Sequence, residues 1–100
     1  ISSGYNIAGP EVEETLLSHP AVFECAVVAF PDKDRGSIVQ AHIVLNEQFI
    51  NNDLITKELQ DHVKNTIAPY KYPRSIIFQK SLPKTKTGKI QRFLLRENSN

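Results

Sequence analysis

Apolar residues recur with helical spacing in two parts of the chain. Val12 and Leu16 stand four apart and so share one face of a helix. Their neighbours Glu11, Glu13 and Glu14 favour the positive N-terminal end of such a helix. Pro10 suits its first turn and Pro20 ends it, while the residues before Pro10 read as a short turn or hairpin segment. Further on, Ile55, Leu59, Val63 and Ile67 recur every four residues behind a capping asparagine at 51 or 52. A second helix is predicted to about Asn65, with Lys57, Asp61 and Lys64 turned away from the apolar stripe.

Between the helices the period shortens. AVFECAVVAF (21–30) is rich in β-branched and aromatic residues and apolar on nearly both faces, which predicts a central strand. PDKDRGS reads as a turn, and SIVQAHIVL (37–45) as a second strand antiparallel to the first. APYKYPR breaks the second helix with two prolines. SIIF (75–78) is a third strand, a lysine-rich loop follows, and RFLLRE forms a last helical turn. The predicted fold is α+β: one domain, residues 1–100, with a small three-stranded sheet covered by two helices and ending in a lysine loop.

Composition narrows the classes. Forty per cent apolar and 23% charged residues describe a globular chain, and no apolar run approaches a membrane span. A start on Ile1 without methionine suggests an excised piece of a longer protein. The single cysteine, Cys25, lies in an apolar strand and reads as a buried structural thiol. His19, His42 and His62 show no metal-ligand spacing. Residues 1–79 hold ten acids and six bases, whereas 80–96 hold six bases and no acid.

That basic block contains PKTKTGKIQR (83–92). It is not a nucleotide-hydrolase phosphate loop: Pro83 stands where the upstream glycine belongs, and Ile90 where Ser or Thr would hold magnesium. Nucleic-acid binding is disfavoured, because no aromatic is interleaved before Phe93 and the rest of the chain is net acidic. Composition alone favours a solvated loop. Gly88 permits unusual backbone dihedrals and Ile90 anchors the far side, so Lys89 is projected as a point charge for a developing anion. Lys84 and Lys86 read as its solvated neighbours.

Two motifs then carry a resemblance. SGYNIAGPEVE near the start is similar to a GYxIxxxEVE segment, and LPKTKTGKIQR near the end to a PKTxxGKIxR segment. HPAVFECAVVAFPDKDRGSIVQAHIVL between them matches a pattern ending in AFIVL. Together, over essentially the whole chain, these resemble the C-terminal domain of the acyl-adenylate-forming enzymes. APYKYPR points to the medium-chain acyl-CoA synthetase branch and its bacterial relatives.

The resemblance implies an AMP-forming ligase that works in two steps. A carboxylic acid attacks ATP to give an acyl-adenylate, and the CoA thiol then displaces AMP. It implies a mobile lid that turns between the steps against its own N-terminal domain, so the isolated domain would be inactive. ATP and CoA are substrates, with Mg2+ accompanying ATP outside this domain. Lys89 matches the lysine that bridges the ATP α-phosphate and the acyl carboxylate. Ser3, Gly4 and Tyr5 match the segment flanking the pantetheine tunnel. Arg35, Lys64, Tyr72, Pro73 and Arg74 match CoA contacts. Asn6 departs from the arginine usual in that branch, which puts a substrate contact there in question, and the hinge would lie upstream of Ile1.

Two alternatives stand beside this reading: an adenylation domain that loads a carrier protein's phosphopantetheine, and a non-catalytic binding module. Ten isoleucines, seven asparagines and eight lysines to four arginines lean toward a bacterial cytoplasm, with the mitochondrial matrix as the other choice.

Overall fold

The structure, a computed structural model, describes residues 3–34 and 36–97, with side chains from Gly9 to Arg96 apart from residue 35. Arg35 therefore lies outside the described residues, as do the side chains of Ser3, Gly4, Tyr5 and Asn6.

Helix α1 spans Ser3–Leu17 and buries Val12 and Leu16 completely. The turn expected before Pro10 is helical instead. Proline holds φ near the helical value, so a helix can run through it with the loss of one hydrogen bond. Strand β1 (Val22–Asp32) turns tightly into β2 (Gly36–Leu45), and the two pair antiparallel from Val22↔Leu45 to Asp32↔Gly36. Helix α2 (Asp53–Thr66) begins where Asn52 Oδ1 accepts the Ile55 N–H at 2.9 Å, a cap worth about 1 kcal/mol. A single 3-10 turn (Pro69–Lys71) leads to β3 (Ser75–Phe78), which pairs parallel with β2. Helix α3 (Arg92–Glu97) closes the described chain.

The sheet order is β1-β2-β3, so β2 is central and β1 is an edge. The apolar character of β1 has a different cause from the one expected. Both of its faces are covered, but by different layers. Cys25 and Val27 pack with Val12, Leu16, Leu59 and Val63 beneath α1 and α2, while Ala26 and Val28 pack with Leu82 and Leu95 of the C-terminal segment. A β-bulge sets this phase, because the register shifts between Val22 and Glu24 and leaves Phe23 unpaired. Val22 and Cys25 thus share the helix-covered face, and Glu24 points to the other.

That second face carries a polar row whose middle is buried. Ser75 Oγ donates to Gln40 Oε1 at 3.0 Å, and Gln40 Nε2 lies 3.0 Å from His42 Nε2. The other His42 ring nitrogen meets Gln79 Oε1, and Gln79 donates on to the Ser81 carbonyl. Gln40 and His42 are each 2% exposed, and burial pushes the His42 pKa down. Among the described residues no helix is long and apolar enough to cross a membrane.

Candidate functional site

The lysine loop is a hairpin built almost entirely on Thr85. Thr85 N donates to the Lys89 carbonyl at 2.8 Å, and Gly88 N donates back to the Thr85 carbonyl at 2.9 Å. Lys89 N donates to Thr85 Oγ1 at 3.1 Å, and the Thr85 and Thr87 hydroxyls stand 3.1 Å apart. Lys84 and Ile90 close the base as an isolated bridge, backed by Gln91 N donating to the Pro83 carbonyl. Gly88 has φ of +90°, in the left-handed region. A Cβ built there would touch nothing within 4 Å, so the dihedral alone demands glycine.

Ile90 packs onto the cluster of Leu82, Leu95, Ala26 and Val28, which fixes the hairpin's base to the sheet. Lys89 itself is exposed, with no carboxylate in ion-pair range among the described residues. Its neighbours differ. Lys84 was expected to be solvated but pairs with Glu24 at 2.8 Å, because the bulge at Phe23 turns Glu24 onto this face. Arg92 forms a bidentate pair with Glu13, at 2.9 Å and 2.6 Å. Only Lys86 matches the solvated reading.

A second group forms at the end of α2. Lys64 Nζ lies 4.3 Å from the Tyr72 ring centroid, and the Arg74 guanidinium carbon 5.1 Å from it. Arg74 Nη1 donates to the Tyr72 hydroxyl at 3.0 Å. The tyrosine ring is half-buried against the helix-side core. Pro73 is buried and its carbonyl accepts from Gln60, while Arg74 N donates to the Val39 carbonyl. These bonds hold the segment as it enters β3. Of the residues matched to CoA, the structure thus brings Lys64, Tyr72, Pro73 and Arg74 together. Lys89 is not among them: its hairpin packs on the opposite face of the sheet.

Sequence reasoning missed three acids that organise these groups: Glu11, Glu13 and Glu24. Glu11 pairs with Lys71 at 2.7 Å, and that bond raises the Lys71 pKa. Glu13 Oε2 also accepts the Val27 N–H at 2.7 Å, satisfying a donor on the open edge of β1. The signal was present as the excess of acids in 1–79 against the acid-free basic block at 80–96. Cys25 has the structural role expected of it. Burial, with Glu13 nearby, pushes its pKa up to about 12, so the thiol stays protonated.

Known proteins resemble this chain in sequence and fold. The family model of the AMP-binding enzyme C-terminal domain matches residues 11–89. The human mitochondrial acyl-coenzyme A synthetase ACSM2A is 57% identical over 98 residues, which is 96% of this chain and 17% of that protein. The uncharacterized acyl–CoA ligase YtcI of Bacillus subtilis is 57% identical over 97 residues, covering 97% of this chain and 18% of its own length. The crystal structure of Brucella canis acyl-CoA synthetase superposes with a TM-score of 0.87 at 48% identity, over 89% of this chain and 16% of that one. The chain therefore spans about a sixth of the proteins it resembles. It belongs to the family of AMP-binding enzyme C-terminal domains.

Proposed function

We propose that residues 1–100 are the lid domain of an AMP-forming acyl-CoA ligase, and that the two cationic groups serve its two half-reactions. The observation that carries this reading is their placement: an exposed lysine, Lys89, directly after the positive-φ glycine of a hairpin on one face of the sheet, and a cation–tyrosine cluster on the other. In the first step a carboxylate attacks the ATP α-phosphate and pyrophosphate leaves. Negative charge gathers between the two reactants, and the Lys89 ammonium, with no carboxylate in ion-pair range among the described residues, stabilises it. ATP and its Mg2+ are held mainly by the protein's own N-terminal domain. A 100-residue lid with a lysine at a hairpin tip supplies the charge and closes the site.

In the second step the lid presents its other face. Lys64 and Arg74 offer positive charge to the phosphates of CoA, and the Tyr72 ring they flank offers a flat surface for stacking. The thiol then displaces AMP from the acyl-adenylate. Ser3, Gly4, Tyr5 and Arg35 belong to this CoA side by motif, and Asn6 to the substrate contact. The relatives' names, an acyl-CoA synthetase and an acyl–CoA ligase, support free CoA over a carrier protein as acceptor. We assign a bacterial cytoplasm from the composition; the mitochondrial matrix is the alternative, and the human relative is named as mitochondrial.

The test is pyrophosphate release by full-length protein carrying Lys89→Ala. Removing one donor to a developing anion costs on the order of 10²–10³-fold. Retention of full adenylation activity would remove Lys89 from the reaction.

A further inference from the structure

The hairpin at Lys89 is internally rigid, but a rigid hairpin still has to be aimed. Ile90, with Leu82 just before the hairpin, seats its base on the apolar cluster of the sheet. Two ion pairs bracket the lysine, five residues before it and three after. Lys84 Nζ meets Glu24 Oε1 on β1 at 2.8 Å, and Arg92 grips Glu13 on α1 through Nε at 2.9 Å and Nη2 at 2.6 Å. Both acids are themselves held. Glu13 accepts the Val27 N–H of β1 at 2.7 Å, and Glu24 is turned to this face by the bulge at Phe23. The hairpin is thus tied at three points to two different elements.

We propose that Glu24–Lys84 and Glu13–Arg92 form a mount that positions Lys89 for adenylation, and that these four are positioning residues rather than contacts to substrate. The proposal rests on the reading that Lys89 acts in the first half-reaction. Three cations of this block thereby take different roles: Lys84 and Arg92 hold the loop, and Lys89 acts in the chemistry. The mount also explains the bulge, since regular alternation from Val22 would place Glu24 on the helix-covered face, away from Lys84.

The Glu24–Lys84 pair is the better one to test. Lys84 is 38% exposed and Glu24 19%, so substitution at the lysine end alters no buried side chain and the variant is expected to fold. In full-length protein, Lys84→Met keeps the apolar stem and removes the charge. Misplacement of a reacting group by about an ångström costs up to roughly 10²-fold. Adenylation, read as pyrophosphate release, is expected to fall at least about tenfold with the melting temperature unchanged. Thioester formation from supplied acyl-adenylate should stay within about twofold, a split that a merely structural role does not produce. The charge swap Glu24→Lys with Lys84→Glu should restore most of the lost adenylation rate.

An unchanged adenylation rate in Lys84→Met overturns the mount. So does an equal fall of both half-reactions with a lowered melting temperature, or a swap that fails to restore activity. Lys89→Ala, measured alongside, separates this outcome from failure of the functional reading: if it adenylates normally, the reading itself is wrong and the mount has nothing to aim.

Discussion

The hairpin at Lys89 and the cluster at Tyr72 both present cations, and they are built in opposite ways. The hairpin's internal hydrogen bonds join residues within 83–91, and its working lysine is exposed, with no described carboxylate in ion-pair range. The cluster joins the end of α2 to the entry of β3, and its cations lie over an aromatic ring that is itself half-buried. A tip held by local bonds can enter another surface without rearranging its own domain. A cluster assembled from two elements is part of the domain's wall. The first suits insertion into a site made elsewhere, the second a binding face for a long anionic ligand.

Arg74→Ala probes the cluster and carries the larger expected effect. A hydrogen bond to a charged group contributes about 1.5–3 kcal/mol, so the KM for CoA should rise about tenfold or more while pyrophosphate release is unaffected. A KM that does not move breaks the assignment of this face to CoA. Gly88→Ala probes the hairpin. At φ of +90° an L side chain costs about 1–2 kcal/mol although there is space for it. Adenylation should fall by roughly tenfold with the KM for CoA unchanged, and Gly88→Asn should lose less, because asparagine tolerates the left-handed region. Equal activity of Gly88→Ala and the parent would show that the dihedral is not required.

The smallest effect concerns what lies between the two regions. The polar row Ser75, Gln40, His42, Gln79 and Ser81, buried at Gln40 and His42, runs from the residue after Arg74 to the residue before Leu82. The folded state lowers the pKa of His42 from its ordinary 6.5, chiefly by burial. Below that value the unfolded chain binds a proton that the folded chain resists, so this contribution is present above pH 6.5 and is lost as pH falls through the lower folded value. Thermal melts of the parent between pH 7.5 and 5.5 should show a decline that His42→Gln flattens. Parallel curves for the two proteins would exclude His42 as the source.

What was legible in the sequence follows the range of the interactions. Helix α2 shows in its four-residue repeat and its asparagine cap, both local, and the structure differs from the expected end by a residue. The Gly-Lys step shows because a positive φ leaves a glycine behind. The position of β1 did not show. An apolar strand looks the same whether a second strand or a C-terminal segment covers its other face, and here Leu82, Ile90 and Leu95 do so from more than fifty residues away. Glu13 with Arg92 is a pair 79 residues apart, and Glu24 with Lys84 depends on a bulge that no residue at Phe23 announces. Lys64 and the Tyr72-Pro73-Arg74 segment were matched separately by resemblance; only folding shows that Lys64 lies over the Tyr72 ring.

The central claim is that the two faces divide the chemistry, and one crossed measurement tests it. Lys89→Ala and Arg74→Ala full-length proteins are each assayed for pyrophosphate release from ATP and acid, and for thioester formation from supplied acyl-adenylate and CoA. The account predicts that Lys89→Ala loses the first by about 10²-fold or more and keeps the second, whereas Arg74→Ala keeps the first and weakens the second at low CoA. Loss of both half-reactions in either variant would contradict the division.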